Sequence, residues 1–140
     1  MSTAIQNVQS IYQAFGAGNV PAILEALDRD VQWDVWREHS AQRAGTPHLQ
    51  PRRGPDEVMA FFQVLSGLTF HEFKVLGGSG DERQVAAEID IDFSVGATGR
   101  RVRDEELHLW TFGADGKVTR FRHYVDTAKH AWVHGLVAKA

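Results

Sequence analysis

Three side chains that can carry protons lie close together near the C-terminal end of the sequence. Glu106 and His108 belong to the segment RDEELHLWTF, and His123 follows in the segment KVTRFRHYVD. A GADG turn joins the two segments, and both have the alternating character of strands. A histidine with a proton affinity near neutrality, beside a carboxylate and a second imidazole, can take a proton from one atom and return it to another. These residues are the minimum set of groups that an isomerisation, a dehydration or an aldol-type cyclisation requires.

Strand register predicts which side chains share a face. In a hairpin that closes with Phe112 opposite Lys117, side-chain alternation places Glu106 opposite His123. The preceding strand then brings Ile89 beside Glu106. The predicted inner face of the hairpin carries Asp104, Glu106, His108, Trp110, Phe121 and His123. A bulge of one residue would reverse the faces, so this prediction depends on an unbroken ladder.

We expect His123, assisted by Glu106, to act as general acid and base, and His108 to donate a hydrogen bond to a developing oxyanion. Asp34, in the segment VQWDVW, is a secondary candidate for the base. The substrate would be a small, mostly apolar carbonyl or cyclic compound, and no cofactor is required. The predicted substrate contacts are Trp33, Tyr12, Phe62, Trp110, Phe121 and Ile89.

In a second interpretation the same residues form a ligand pocket but do not catalyse a reaction. A histidine on an apolar face more often makes a buried hydrogen bond than takes part in chemistry, and aromatic side chains are more often core than substrate contacts. The alternative function is a non-catalytic small-molecule binding or dimerisation domain. His130 and His134 have the i, i+4 spacing of zinc ligands, but the sequence offers no third ligand, so we predict no metal.

The amino-acid composition excludes several functional classes. The 140 residues fit one domain, taken as residues 1–140, and a net charge of −3 without a basic face argues against nucleic-acid binding. The absence of cysteine excludes disulfides, thiolate nucleophiles and thiolate metal sites. No apolar stretch approaches the length of a membrane span, and the N-terminus does not resemble a signal peptide, so we expect a cytoplasmic protein.

Hydrophobic periodicity predicts an α+β domain whose helices cover one face of a curved sheet. The segment from Arg37 to Gly54 has no periodicity, and we interpret it as a pocket rim or a mobile loop. The last four strands, separated by glycine-rich turns, form an antiparallel meander. The predicted elements are a helix ending before Gly16, a helix from Asn19 to about Asp28, a strand over 31–36, a helix beginning at Pro55, strands over 68–76, 84–95, 100–112 and 117–126, and a closing helix over 127–139.

The outer face of the sheet is predicted to carry ion pairs and an association surface. Asp92, Arg103 and Asp126 form a row there, and such exposed pairs contribute only tenths of a kcal/mol. Leu107 and Leu109 lie beside this row. Large apolar side chains on an outer sheet face predict a homodimer.

The order and spacing of four segments resemble the SnoaL-like branch of the nuclear transport factor 2-like superfamily. The segments are IYQAFGAGNVPAILEAL, a D-V-x-W strand, GPDEVMAFF and HLWTFGADGKVTRFRHYVDTA, which together span nearly the whole chain. The resemblance implies a cone-shaped α+β barrel, in which three N-terminal helices pack against a curved, mainly antiparallel sheet that encloses a ligand pocket. It also implies a dimer. Ketosteroid isomerases, polyketide cyclases, scytalone dehydratase and many non-enzymatic proteins share this fold.

Carried over position by position, the resemblance places histidines where relatives have catalytic acids. His108 falls where ketosteroid isomerases have the aspartic acid that helps to hold the oxyanion, and His123 falls near the catalytic aspartate of polyketide cyclases. The isomerase base aligns near Trp33, and the isomerase oxyanion tyrosine aligns near Ile11, one position from Tyr12. These departures argue against steroid isomerisation of the usual kind and leave the reaction unassigned.

Overall fold

The structure is a computed structural model that describes residues 3–138. Within these residues the predicted α+β architecture is confirmed, and none of the helices is both long and apolar enough to cross a membrane. The elements are, in order, α1 (Thr3–Gly16), α2 (Val20–Glu25), β1 (Leu27–Val35), α3 (Ser40–Arg43), a 3-10 helix (Pro47–Leu49), β2 (Arg52–Arg53), α4 (Gly54–Leu65), β3 (Leu68–Gly80), β4 (Gln84–Val95), β5 (Arg101–Phe112), β6 (Val118–Tyr124) and α5 (Thr127–Val133).

The three predicted N-terminal helices are α1, α2 and α4. Asn19 caps α2, because its side chain accepts a hydrogen bond of 3.3 Å from the backbone N–H of Ala22. This helix ends at Glu25, earlier than predicted. Leu27, which we expected on its apolar stripe, instead begins β1, where it is buried and pairs with Val118 of β6.

The sheet has the strand order β2-β1-β6-β5-β4-β3. Strands β3 to β6 form the predicted antiparallel meander, whereas β1 lies parallel to β6. The parallel pair is possible because the long chain between β1 and β6 allows the crossover that adjacent hairpin strands lack. The main core lies between the helices and the inner sheet face, and its largest buried side chains include Trp33, Phe61, Trp110, Phe112 and Phe121.

Strand pairing confirms part of the predicted register and corrects the rest. Ile89 pairs with Glu106 as expected, but His108 of β5 pairs with His123 rather than with Phe121. The register shifts at Phe112, which pairs with Val118 instead of Lys117. Beyond this irregularity the partners of residues 107–111 move by two positions. Since side chains alternate with a period of two, these residues stay on their predicted faces.

The segment between β1 and α4, predicted as a loop, is largely ordered. It contains α3, the 3-10 helix and β2, and it buries Ala41 and Leu49 completely against Val35 and Ala131 of α5. The segment also buries His39, Thr46 and His48. These contacts could not be predicted from the sequence, because the segment is polar and its buried residues follow neither a helical nor a strand period.

The C-terminal helix is shorter than predicted. It ends at Val133, since Gly135 adopts a positive φ of 75°, and Lys139, the predicted end, lies outside the described residues. Asp126 was expected in the outer ionic row, but it caps α5 by accepting a hydrogen bond from the backbone N–H of Lys129. The ion pairs of the outer face instead join Arg103 to Asp90 and Glu72, and Arg101 to Asp92.

Candidate functional site

The inner faces of β5 and β6 bring the predicted catalytic side chains together. Glu106, His108 and Trp110 alternate with exposed or half-buried residues along β5, and each is buried. Across the ladder, Phe121 lies opposite Trp110 and His123 opposite His108. Their common orientation follows from the two-residue period of a strand, so one short hairpin supplies both carboxylate and imidazoles.

A chain of hydrogen bonds links helix α1 to this strand. The Tyr12 hydroxyl lies 2.7 Å from His108 Nδ1, and His108 Nε2 lies 3.1 Å from Glu106 Oε1. The indole N–H of Trp110 donates to the Tyr12 oxygen at 3.0 Å. Because the ionised Glu106 carboxylate only accepts, His108 carries a proton on Nε2, and Nδ1 of the neutral imidazole accepts a hydrogen bond from the Tyr12 O–H. Burial raises the pKa of Tyr12, which keeps the phenol protonated at neutral pH.

Glu106 also belongs to a second cluster, which includes α5. His130 Nε2 lies 2.8 Å from Asp104 Oδ2 and 3.1 Å from Glu106 Oε2. Burial lowers the pKa of His130, but the hydrogen bonds to the two carboxylates outweigh burial and raise that pKa to about 9. Burial raises the pKa of Glu106, yet hydrogen bonds from His108 and His130 hold it well below its usual range. The cluster therefore pairs an imidazolium with ionised Glu106.

His123 has a different environment from the one predicted. Glu106 directs its two oxygens to His108 and His130, so it is not the direct partner of His123. The His123 ring stacks on Phe121 with 5.3 Å between centroids and approaches Phe61 edge-on at 6.0 Å. Burial lowers the pKa of His123 to about 3, although the nearby Glu106 charge opposes the shift. His123 is a neutral imidazole at pH 7, suited to hydrogen bonding and a weak base.

Two further histidines extend the cluster toward the surface. His48 Nε2 lies 2.8 Å from His130 Nδ1, and His48 Nδ1 lies 3.2 Å from His134 Nε2. Burial and the charge of His130 lower the pKa of both His48 and His134. His48 is not among the site residues predicted from the sequence, because the only signal for it is its place in a segment interpreted as a pocket rim or a mobile loop.

A cavity of about 80 Å³ lies in front of these groups. It adjoins a wider surface depression of about 470 Å³, and the two share part of their walls, including Tyr12 and Phe62. Apolar and aromatic side chains dominate the lining, so the polar atoms of the site face a mainly apolar space. The residues that line the cavity are Ile11, Tyr12, Phe15, Ile23, Trp33, His48, Phe61, Phe62, Leu65, Leu68, Phe70, Phe73, Ile91, Phe93, Glu106, His108, Trp110, Phe121, His123 and His130.

Most of the predicted site residues share this cavity, and two do not. The catalytic candidates Glu106, His108 and His123 line it, as do five of the six predicted substrate contacts, namely Trp33, Tyr12, Phe62, Trp110 and Phe121. Ile89 is buried behind the wall, where Ile91 and Phe93 of the same strand reach the cavity. Asp34 is half-buried outside the cavity, and its Oδ1 accepts from the backbone N–H of Val35 at 2.7 Å.

Two features of the site are suited to binding. The indole N–H of Trp33 is buried and finds no acceptor among the residues that the structure describes. A buried donor without a partner is costly, so it favours a ligand that supplies an acceptor. Separately, Asp104, Glu106 and His130 each place one metal-ligating atom within 4.8 Å of the others, and this group could hold a cation.

Comparisons with known proteins agree with the fold. The sequence profile described as a SnoaL-like domain matches residues 8–121, and no curated protein matches the chain significantly. A nuclear transport factor 2-like protein of unknown function from Burkholderia pseudomallei is 23% identical, with a TM-score of 0.80 over 95% of this chain and 98% of that one. A Mesorhizobium loti protein with a provisional name of SnoaL-like polyketide cyclase is 21% identical, with a TM-score of 0.68 over 87% and 98% of the two chains. TerC, co-crystallised with polyporic acid, is 20% identical, with a TM-score of 0.75 over 94% and 98%.

Proposed function

The chain belongs to the SnoaL-like domain family, and we propose that it is an acid–base enzyme acting on a small, mostly apolar carbonyl or cyclic compound. The reaction would be an isomerisation, a cyclisation or a dehydration. The observation that carries this proposal is the hydrogen-bonded chain of Tyr12, His108 and Glu106 at the wall of an apolar cavity. A nucleophile or base held by an imidazole, which is itself oriented by a carboxylate, is the recurring arrangement of acid–base sites.

The hydrogen bonds favour His108, rather than His123, as the base. Glu106 accepts a hydrogen bond from the Nε2–H of His108, which fixes the proton on Nε2 and leaves the Nδ1 lone pair for proton transfer. A substrate oxygen beside Tyr12 would draw the phenolic O–H away from Nδ1 and free this lone pair. His108 could then remove a proton from the carbon next to a substrate carbonyl, and Glu106 would stabilise the imidazolium that forms.

Tyr12 and His123 are placed to stabilise the negative charge that follows. When a carbon loses its proton, the electron pair moves to the carbonyl oxygen, and Tyr12 donates a hydrogen bond to this oxygen. His123 is neutral and faces the same cavity, so it can donate a second one. The proton returns from His108 to another atom of the substrate, which completes the reaction without net gain or loss of protons. General acid–base groups of this kind contribute roughly 10²- to 10⁴-fold in rate.

The dimensions of the site define the class of substrate. The inner cavity of about 80 Å³ admits only the reacting end of a molecule, while the adjoining depression of about 470 Å³ can accept an apolar remainder. The wall of the depression is mainly aromatic and aliphatic, with Phe15, Phe70 and Val75 among its members. A flat aromatic or alicyclic ketone, hydroxyquinone or polyketide fragment fits this description. TerC, a relative of the same fold, was crystallised with polyporic acid, which is a suitable first probe.

Proton abstraction can be tested before the natural substrate is known. Cyclic ketones, 1,3-diketones and polyporic acid would be incubated with the protein in D₂O, and exchange of carbon-bound protons would be followed by NMR. We expect His108→Gln to slow the exchange by roughly 10²- to 10⁴-fold and Tyr12→Phe to slow it substantially. Tyr124→Phe, at the second tyrosine of the chain, is the matched control, since Tyr124 lies outside the cavity. Equal rates in Tyr12→Phe and Tyr124→Phe would remove Tyr12 from the mechanism.

A second candidate is a non-catalytic binding protein for the same class of compound. The observation that favours it is the predominance of aromatic walls in a cavity whose polar groups are mostly paired with one another. A compound that binds in the cavity and returns unchanged, without exchange of its protons, would favour this candidate over catalysis.

A further inference from the structure

The geometry points to a divalent transition-metal site formed by Asp104, Glu106 and His130. One metal-ligating atom from each of the three residues lies within 4.8 Å of the other two, and all three residues are buried. The inference is independent of the proposed function, because proton abstraction by His108 needs no metal. For His130 and His134, no third ligand is evident from the sequence. In the structure, two carboxylates of β5 lie beside His130, so the three ligands come from a strand and a helix that are separate in the sequence.

Charge balance favours a divalent cation at this position. The two carboxylates and the imidazole face one another within the buried cluster. A divalent cation bound to a neutral imidazole and two carboxylates has a net charge of zero. Buried charges are tolerated when they are paired or when they coordinate a metal, so a divalent cation is compatible with the burial of both carboxylates.

The distances fit a small transition metal after a slight expansion. His130 Nε2 lies 2.8 Å from Asp104 Oδ2 and 3.1 Å from Glu106 Oε2. Tetrahedral ligands about 2.0 to 2.1 Å from zinc are separated from one another by about 3.3 Å, so His130 Nε2 needs to move away from each carboxylate oxygen by only a few tenths of an ångström. One imidazole and two carboxylates suit Zn²⁺ or Mn²⁺, whereas Ca²⁺ would require about six to eight oxygen ligands.

Each proposed ligand is also held by an outer partner. His108 Nε2 lies 3.1 Å from the second oxygen of Glu106, and His48 Nε2 lies 2.8 Å from the second nitrogen of His130. The backbone N–H of Asp126 donates at 3.1 Å to Asp104 Oδ2, the same oxygen that contacts His130. Such partners orient metal ligands and are a regular feature of metal sites. Glu106 and His130 line the cavity, which leaves one side of the cation open to a water molecule or a ligand.

Metal binding to the whole chain tests this inference directly. EDTA-treated protein would be titrated with ZnCl₂ and, separately, with MnCl₂ by isothermal titration calorimetry in two buffers of different ionisation enthalpy. We expect one ion per chain and a release of protons, since a metal displaces protons from its ligands. Asp104→Asn and His130→Gln should weaken binding most, and His48→Gln, which removes an outer partner, by roughly 10- to 100-fold. His71→Gln, at an exposed histidine bonded to Ser94, is the matched control and should leave the affinity unchanged.

A measurement on the unmodified chain covers the case in which a buried variant fails to fold. In NMR spectra of imidazole nitrogens, stoichiometric Zn²⁺ should shift the signals of His130 and leave those of His71 in place. No binding by the unmodified chain would overturn the inference. Binding that survives Asp104→Asn and His130→Gln in folded protein but disappears in His134→Gln would place the ion at the surface histidine, and would also overturn it.

Discussion

Replacing His123 by leucine should change the pH dependence of stability by an amount that the structure sets. Burial lowers the pKa of this imidazole to about 3, against an ordinary value of 6.5. Below pH 6.5 the unfolded chain therefore binds a proton that folded His123 does not, and the folded protein loses stability as the pH falls toward 3. Each pH unit in this range costs about 1.4 kcal/mol, so the loss at pH 4.5 is roughly 3 kcal/mol.

The assay is urea denaturation of the wild type and of His123→Leu at pH 7.5 and at pH 4.5, in buffer with EDTA. Packing differences between the two side chains contribute equally at both pH values and cancel in the comparison. We expect the stability of the variant relative to the wild type to rise by roughly 3 kcal/mol between pH 7.5 and pH 4.5. His71→Leu is the matched control, because that side chain is exposed on the sheet. A relative stability of His123→Leu that does not change with pH would refute the conclusion that this imidazole is held neutral.

Four other predictions probe separate parts of the molecule. His130→Gln should show the opposite pH dependence of stability, because the pKa of His130 is raised to about 9. The stabilisation by the His130 imidazolium is complete below pH 6.5 and lost by pH 9. In urea denaturation with EDTA, the free energy of unfolding of the wild type should therefore exceed that of the variant by roughly 3 kcal/mol less at pH 9 than at pH 6.5. Leu49→Ala should cost about 2 to 5 kcal/mol in the same assay, since Leu49 is fully buried, whereas a mobile loop would tolerate the change. Trp33→Phe should lower the affinity for a carbonyl ligand by roughly 3- to 10-fold in a binding titration, which is the contribution of one neutral hydrogen bond. Leu107→Glu tests the predicted homodimer: Leu107 is 40% exposed on the outer sheet face, and light scattering should show a shift toward monomer, while a wild type already monomeric at high concentration would contradict the dimer.

Alternation along the strands was sufficient to predict the inner face of the hairpin. Glu106, His108 and His123 line the cavity as expected, even though the register between β5 and β6 differs from the prediction by two positions. The predicted face is correct because side chains on a strand repeat every two residues. The predicted cross-strand partners are wrong, because a two-residue displacement puts His123 opposite His108 and leaves Glu106 in contact with other neighbours.

Outside the segment between β1 and α4, the amino-acid sequence by itself determined the α+β order of elements, most strand bounds and the set of residues on the inner sheet face, since these follow from local periodicity and turn chemistry. Only the tertiary structure decided which groups meet in the site. Tyr12 reaches His108 from the first helix, His48 reaches His130 from a segment without periodicity, and the pairing of His130 with two carboxylates depends on how α5 folds back over β5. The protonation states of the histidines follow from these contacts, because burial and neighbouring charges, rather than residue type, set their pKa values.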